Sequence, residues 1–187
     1  MKKIPVKIIE ISDGENKIQE VMIDLVDTFR IGDDPGKKID EFRNKYFAIV
    51  KKAQKIMPKN KSDRKTTHFW KIGKLLYDFN KSIENEFEIT NYNQAIIRDF
   101  GLYERSHVGH IIQFGEFFDK KDILDSIPMS TYLELIWKAS ILKKSGLLEK
   151  EKKRLLKMAK NKTLYSQKEY REELNRLTKM LTKKTEA

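Results

Sequence analysis

The chain has 187 residues, of which 36% are charged and 39% hydrophobic, a composition that permits a packed core and argues against global disorder. It has no cysteine, which excludes disulfides, thiolate zinc sites and cysteine nucleophiles. Its 39 Lys and Arg outnumber its 28 Asp and Glu, and the resulting net charge of +11 favours polyanionic partners, because a cation that neutralises a phosphate releases a condensed counterion.

The N-terminal segment predicts a short strand followed by an ambiguous stretch. Apolar and polar residues alternate over residues 4–8, which predicts a strand ending at the Asp-Gly turn that follows. Residues 18–29 fit the helical period, although the alternation of Val21, Ile23 and Leu25 would also suit the second strand of a hairpin. We expect the helix.

Two amphipathic helices come next. A Gly- and Pro-rich turn over residues 32–36 precedes a helix from about Lys38 to Met57, and a break at 58–62 separates it from a helix that begins near Asp63. The expected apolar faces are Ile39, Phe42, Tyr46, Val50 and Ala53 in the first helix, and Phe69, Ile72, Leu75, Leu76 and Phe79 in the second.

The central segment predicts a helix-turn-helix unit. After an acidic loop over 83–89, Asn91 can cap a helix that ends at Gly101, and Ser106 can cap a second helix that reaches about Phe117. In such a unit the early residues of the second helix enter the major groove. The residues that could contact bases or phosphates there are Tyr103, Arg105, Ser106, His107, His110 and Gln113. The alternative is that both histidines are ordinary surface residues and that Tyr103 packs on the core.

The C-terminal part predicts four further helices, the first of them short. A short helix can precede Pro128, and Ser130 or Thr131 can cap a helix that contains Trp137. Ser145-Gly146 is a stop, and a helix over 147–160 follows. The last helix begins at the capping box Ser166-Gln167-Lys168-Glu169 and ends near Leu181. We expect Trp70 and Trp137 to be core anchors rather than stacking platforms, because each lies among apolar residues at helical spacing.

A second basic surface is predicted on the helix over 147–160. Its cations cover much of the face opposite Leu148 and Leu155 and could track phosphates, although a solvated helix face explains them equally well. These residues, with their neighbours in sequence, are Lys143, Lys144, Lys150, Lys152, Lys153, Arg154, Lys157, Lys160 and Lys162.

Five short segments together resemble a known family. They are FWKIGKLL at 69–76, DFGL at 99–102, VGHIIQFGEFF at 108–118, IPMSTYLEL at 127–135 and LYSQKEY at 164–170. Over about residues 66–177 they are similar to the N-terminal domain of YhcG-type nucleases. The resemblance implies a winged-helix-like, DNA-binding module, which in that family precedes a PD-(D/E)xK nuclease domain. The resemblance covers the first module only, so we expect it to carry over no nuclease.

No pattern in the sequence predicts a catalytic or metal centre. His107 and His110 could share a helix face and bind zinc with His68, but no further ligand has a diagnostic spacing. The acidic pairs lack the strand context of a metal-dependent nuclease, and phosphate loops and nucleophile elbows are absent from the sequence. We therefore expect no enzyme activity, no metal and no cofactor.

These observations combine into one expectation. The chain should be mainly α, a multi-helix domain with a helix-turn-helix or winged-helix-like unit and at most a short N-terminal strand or hairpin. We expect a segment over 1–62 packed on a nucleic-acid-binding domain over 63–181, with a frayed tail over 182–187. The expected partner is nucleic acid, DNA rather than RNA, and the alternative is a protein-interaction subunit of a nuclease, restriction or toxin-antitoxin complex. The N-terminus lacks the apolar core of a signal peptide and no apolar run approaches the ~20 residues of a membrane span, so we expect a cytoplasmic protein without membrane contact.

Overall fold

The computed structural model describes residues 4–8, 21–25, 35–58, 60–83, 100, 105–161, 163 and 166–185. In this part the chain is mainly α-helical, which confirms the expected fold class. The elements are β1 (Ile4–Ile8), β2 (Val21–Leu25), α1 (Pro35–Ile56), α2 (Thr66–Ile83), α3 (Arg105–Phe117), α4 (Met129–Lys144), α5 (Leu148–Lys160) and α6 (Gln167–Thr185). The helix expected from Asn91 lies outside the described residues, so the helix-turn-helix arrangement stays a prediction.

The two strands form an antiparallel pair. Their register sets Ile4 opposite Leu25 and Val6 opposite Ile23, so the apolar positions of β1 oppose those of β2. The helix expected over 18–29 is therefore wrong at residues 21–25. The stretch fits the periods of both a helix and a strand. The strand forms because β1 supplies cross-strand partners for the alternating β-branched residues.

Several helix boundaries differ from expectation for local reasons. α1 begins at Pro35, inside the expected turn, because proline suits the first helical turn, where its missing N–H has no intrahelical acceptor. α2 begins at Thr66, since Lys61–Asp63 form a 3₁₀ turn instead of the helix start. The short helix expected before Pro128 is likewise a 3₁₀ turn, at Lys120–Asp122. α6 continues to Thr185, beyond the expected end.

The chain divides into two compact units, Met1–Lys59 with Leu75–Gly109, and Asn60–Lys74 with His110–Ala187. The first unit has an aromatic core. Phe42 and Tyr46 stack one helical turn apart with ring centroids 6.2 Å apart, and Phe79 of α2 packs on both. The predicted apolar face of α1 thus meets the C-terminal part of the predicted apolar face of α2 in this unit.

The second unit is built around a cluster of three aromatic rings. Phe114, Phe118 and Tyr132 have centroids 4.9 to 5.8 Å apart, in the range of favourable edge and tilted contacts. The Tyr132 hydroxyl donates to Asp122 O and accepts from the Leu124 N–H. Burial raises the pKa of Tyr132 to about 12, so this hydroxyl keeps its proton and both bonds at neutral pH. Around the cluster lie Ile123, Ile127, Leu133, Leu135, Leu142, Leu155, Tyr170 and Leu174.

A glycine pair sets the approach of α2 to α3 in the second unit. A Cβ built on Gly73 would overlap the carbonyl of Ile111, and one built on Gly115 would overlap the backbone of Gly73. The two helices therefore touch backbone to backbone, which only residues without a side chain permit. Beside this contact, the Trp70 Nε1–H donates to Phe118 O at 2.8 Å, and its ring packs on the core as expected.

The start of α2 is capped from a distant part of the chain. The Thr67 N–H donates to Asp125 Oδ1 at 2.8 Å, and Thr66 Oγ1 donates to Ile127 O at 2.7 Å. Desolvation acts to raise the pKa of Asp125, but the hydrogen bonds from Thr67 outweigh it and hold this pKa below its usual value. At the start of α6 the predicted capping box is confirmed, with the Ser166 N–H donating to Glu169 Oε2 at 2.9 Å.

Candidate nucleic-acid interface

The residues predicted to read bases lie at α3 and just before it. His107 and His110 are partly buried on this helix, and Gln113 is exposed one turn beyond His110. The side chains of Arg105 and Ser106 lie outside the described part of the structure, and so does Tyr103. Of the six predicted residues, Gln113 is therefore the one whose described side chain is open to solvent.

A row of exposed lysines runs along α5 at spacings of three, four and three residues, which places them on one face of the helix. This lysine row comprises Lys150, Lys153, Lys157 and Lys160. The carboxylates of α5 do not offset its charge, because Glu149 pairs with Lys152 and Glu151 pairs with Arg154. Among the described residues, no carboxylate lies within 4 Å of an ammonium group of the row.

Lys152, which belongs to the same predicted set, is directed toward the core. Its Nζ lies 3.1 Å from Glu149 Oε1 and 4.6 Å from the ring centroid of Phe117, and 16% of its side chain is exposed. The ammonium group thus has an anionic partner and an aromatic one within the chain. Binding a phosphate would require Lys152 to leave both.

Arg154 joins α5 to α6. It donates from Nε to Glu151 Oε2 and from Nη1 to Glu173 Oε1, both at 2.8 Å, and its guanidinium lies over the ring of Tyr170. Desolvation acts to lower the pKa of Arg154, but the two carboxylates outweigh it and raise this pKa. Because charge-assisted bonds of this length are strong, the guanidinium has a structural role. Lys162, the last of the predicted set, lies outside the described residues.

The end of α4 presents two more exposed cations, Lys143 and Lys144, immediately before the junction with α5. The predicted stop at Gly146 is confirmed, with a φ of 68°. The Leu147 N–H donates to Leu142 O and the Gly146 N–H donates to Lys143 O, which is the Schellman pattern that closes a helix. The caps predicted for α4 are wrong, because Pro128 is the N-cap residue and Thr131 is buried inside the helix.

Trp137 is exposed, so its predicted role as a core anchor is wrong. It lies on α4 opposite Leu135 and Leu142, which are fully buried, and 51% of its surface is exposed. Its ring contacts His110 of α3 at 5.6 Å between centroids, with an interplanar angle of 64°. Helical spacing alone places Trp137 among apolar residues. Its position relative to Leu135 and Leu142, however, puts it on the opposite face.

Three carboxylates lie close together in the first half of α6. A cavity of about 310 Å³ there is lined by Glu169, Glu172, Glu173 and Arg176. Three carboxylates against one guanidinium disfavour a phosphate at this position. Among the described residues, no group of three His, Asp or Glu side chains could hold a metal ion. None of the described helices combines the length and the apolar character that a membrane crossing requires.

Comparison of the chain with protein-family models, curated proteins and solved structures gave no match.

Proposed function

We propose that this chain is a non-catalytic nucleic-acid-binding protein whose phosphate contacts come from the lysine row of α5 and from Lys143 and Lys144. The observation that carries the proposal is the row itself, four exposed ammonium groups on one helix face without carboxylate partners in the described residues, in a chain of net charge +11. Such a row meets a polyphosphate backbone with little competition from internal ion pairs.

DNA is the proposed partner, because the resemblance to YhcG-type N-terminal domains favours it. On this proposal His110 and Gln113 of α3 supply contacts to bases, while the lysine row holds the backbone. Lys152 and Arg154 are left out of the interface, because each is held by partners within the chain.

The test is a salt series of DNA-binding titrations with a labelled DNA, in single-stranded and duplex form. The double variant Lys153→Gln/Lys157→Gln removes the middle of the row. Each lost phosphate contact should lower the slope of log Kobs against log salt by about 0.9 on a duplex and about 0.7 on a single strand. We therefore expect the slope to fall by about 1.4 to 1.8 in total.

The matched control is Lys51→Gln/Lys52→Gln, which removes two exposed lysines of α1 and the same net charge. The control should keep most of the parent slope. Equal losses in the two double variants would mean that binding follows net charge and has no defined interface. Absence of binding to either DNA would reject the proposal and favour an acidic protein partner for the lysine row.

A further inference from the structure

We propose that Trp137 is a stacking platform for an unpaired base, so that the nucleic acid bound at this surface is single-stranded or locally unpaired. This inference rests on the proposed nucleic-acid function and specifies the form of the ligand. It starts from the exposure of the ring, since 51% of Trp137 faces solvent on a helix whose opposite face is fully buried.

The contact with His110 prepares the ring for stacking. The two rings meet at a 5.6 Å centroid distance and at 64°, so His110 restrains the orientation of the indole without covering it, as its exposure shows. A restrained aromatic side chain loses less conformational entropy when a ligand stacks on it. His110 was predicted from the sequence as a nucleic-acid contact, and its contact with the indole adds a positioning role to that proposed base contact.

Positive charge lies on the same face of α4. Lys144 follows Trp137 by two helical turns, about 10 Å along the axis, and both are exposed. Aromatic side chains that stack bases, combined with cations that follow the backbone, are the features by which proteins bind single strands. Beyond Lys144 the chain passes through Gly146 into α5 and its lysine row.

The surroundings of Trp137 disfavour a protein partner. Between Trp137 and Lys144 the same face carries Ser140, which is exposed, and Ile141, which is partly buried. On this side of the indole the face therefore presents a hydroxyl and an ammonium group, whereas the core of a protein interface is apolar. A base-paired duplex is also disfavoured, because its bases already stack on each other and one must leave the helix to reach the indole.

The test compares Trp137→Ala with the parent chain on a labelled single strand and on the duplex of the same sequence. Stacking of one base predicts a loss of affinity for the single strand of about fivefold or more. The duplex should lose less than twofold. Trp137→Phe, which keeps an aromatic face, should have an affinity for the single strand between those of the parent and of Trp137→Ala. Met180→Ala is the matched control, because it removes an exposed apolar side chain of α6 and should bind like the parent.

Intrinsic fluorescence gives a second readout, because the chain has two tryptophans and Trp70 is partly buried and hydrogen-bonded to Phe118 O. The single strand should quench the parent and leave the emission of Trp137→Ala unchanged. Equal affinities of parent and Trp137→Ala, with the lysine-row variant still impaired, would overturn the stacking inference and leave the proposed function standing. Loss of a dimer in Trp137→Ala, measured by sedimentation, would overturn it in favour of a second copy. Absence of binding by the parent chain would overturn both.

Discussion

Replacing Gly73 by alanine should destabilise the second unit, although alanine is the better helix former. Intrinsic propensity favours the substitution by about 1 kcal/mol. The new Cβ, however, would overlap the carbonyl of Ile111, a backbone atom that can move only if α3 moves. Overpacking of this kind costs about 1–3 kcal/mol. If α3 moves away by about 0.5–1 Å to make room for the Cβ, each contact between the two helices also loses about a quarter to a half of its dispersion energy. Because the overlap is with backbone atoms, we expect a cost near the upper end of this range and, after subtraction of the propensity gain, a net loss of about 2 kcal/mol.

Gly109→Ala is the matched control, because a Cβ at Gly109 on α3 meets nothing within 4 Å. This variant should gain about 0.5–1 kcal/mol. Urea unfolding followed by circular dichroism measures both changes, as a shift of the midpoint at constant slope. Changes of opposite sign in the free energy of unfolding of the two variants would indicate that the backbones are in contact at Gly73. A Gly73→Ala variant as stable as Gly109→Ala would show that α2 and α3 do not touch there, and the reasoning would fail.

Two further predictions concern charged side chains. Arg154→Ala should destabilise the fold by about 2 kcal/mol, because it leaves the buried Glu151 without its cation. Lys153→Ala, on the exposed face of the same helix, should change stability by less than about 0.5 kcal/mol. Equal effects of the two substitutions in thermal unfolding would refute the structural role of the arginine. Asp125→Ala should lose about 1 kcal/mol, since it removes the acceptor of the Thr67 N–H. Because the folded-state pKa of Asp125 is lowered, its contribution is fully present above the usual carboxyl pKa and is lost as pH falls through the lowered one. Stability measured against pH should thus show parent and variant converging in acid, and a constant gap down to pH 2 would contradict the cap.

Local patterns in the sequence located most of the helices. The apolar period found α1, α2 and α3 because one face of each packs inward, as Phe42, Ile72 and Ile111 do. Gly146 and the Ser166 capping box marked ends correctly, since both signals act through hydrogen bonds within a few residues. β2 was recognised only as the alternative to a helix, because its residues satisfy two periods and the choice depends on pairing with β1.

The candidate site was predictable only as a list of residue types. Lys153 and Arg154 look alike in sequence, and the difference between them comes from Glu173, nineteen residues away on α6. Asp125 is a cap because α2 begins beside it, 58 residues earlier in the chain. The exposure of Trp137 likewise depends on which face of α4 meets the core, and spacing alone does not specify this.

The Schellman motif at Gly146 makes the junction of α4 and α5 a well-defined turn. Its two hydrogen bonds and its left-handed glycine set the direction in which the chain leaves the helix that carries Trp137 and enters the helix that carries the lysine row. The separation between Trp137 and the lysine row therefore sets a minimum length for a ligand that binds both. A strand too short to reach from the indole to the first lysine would gain one contact only. For a strand long enough to reach both, binding at Trp137 would raise the effective concentration of its phosphates at the lysine row.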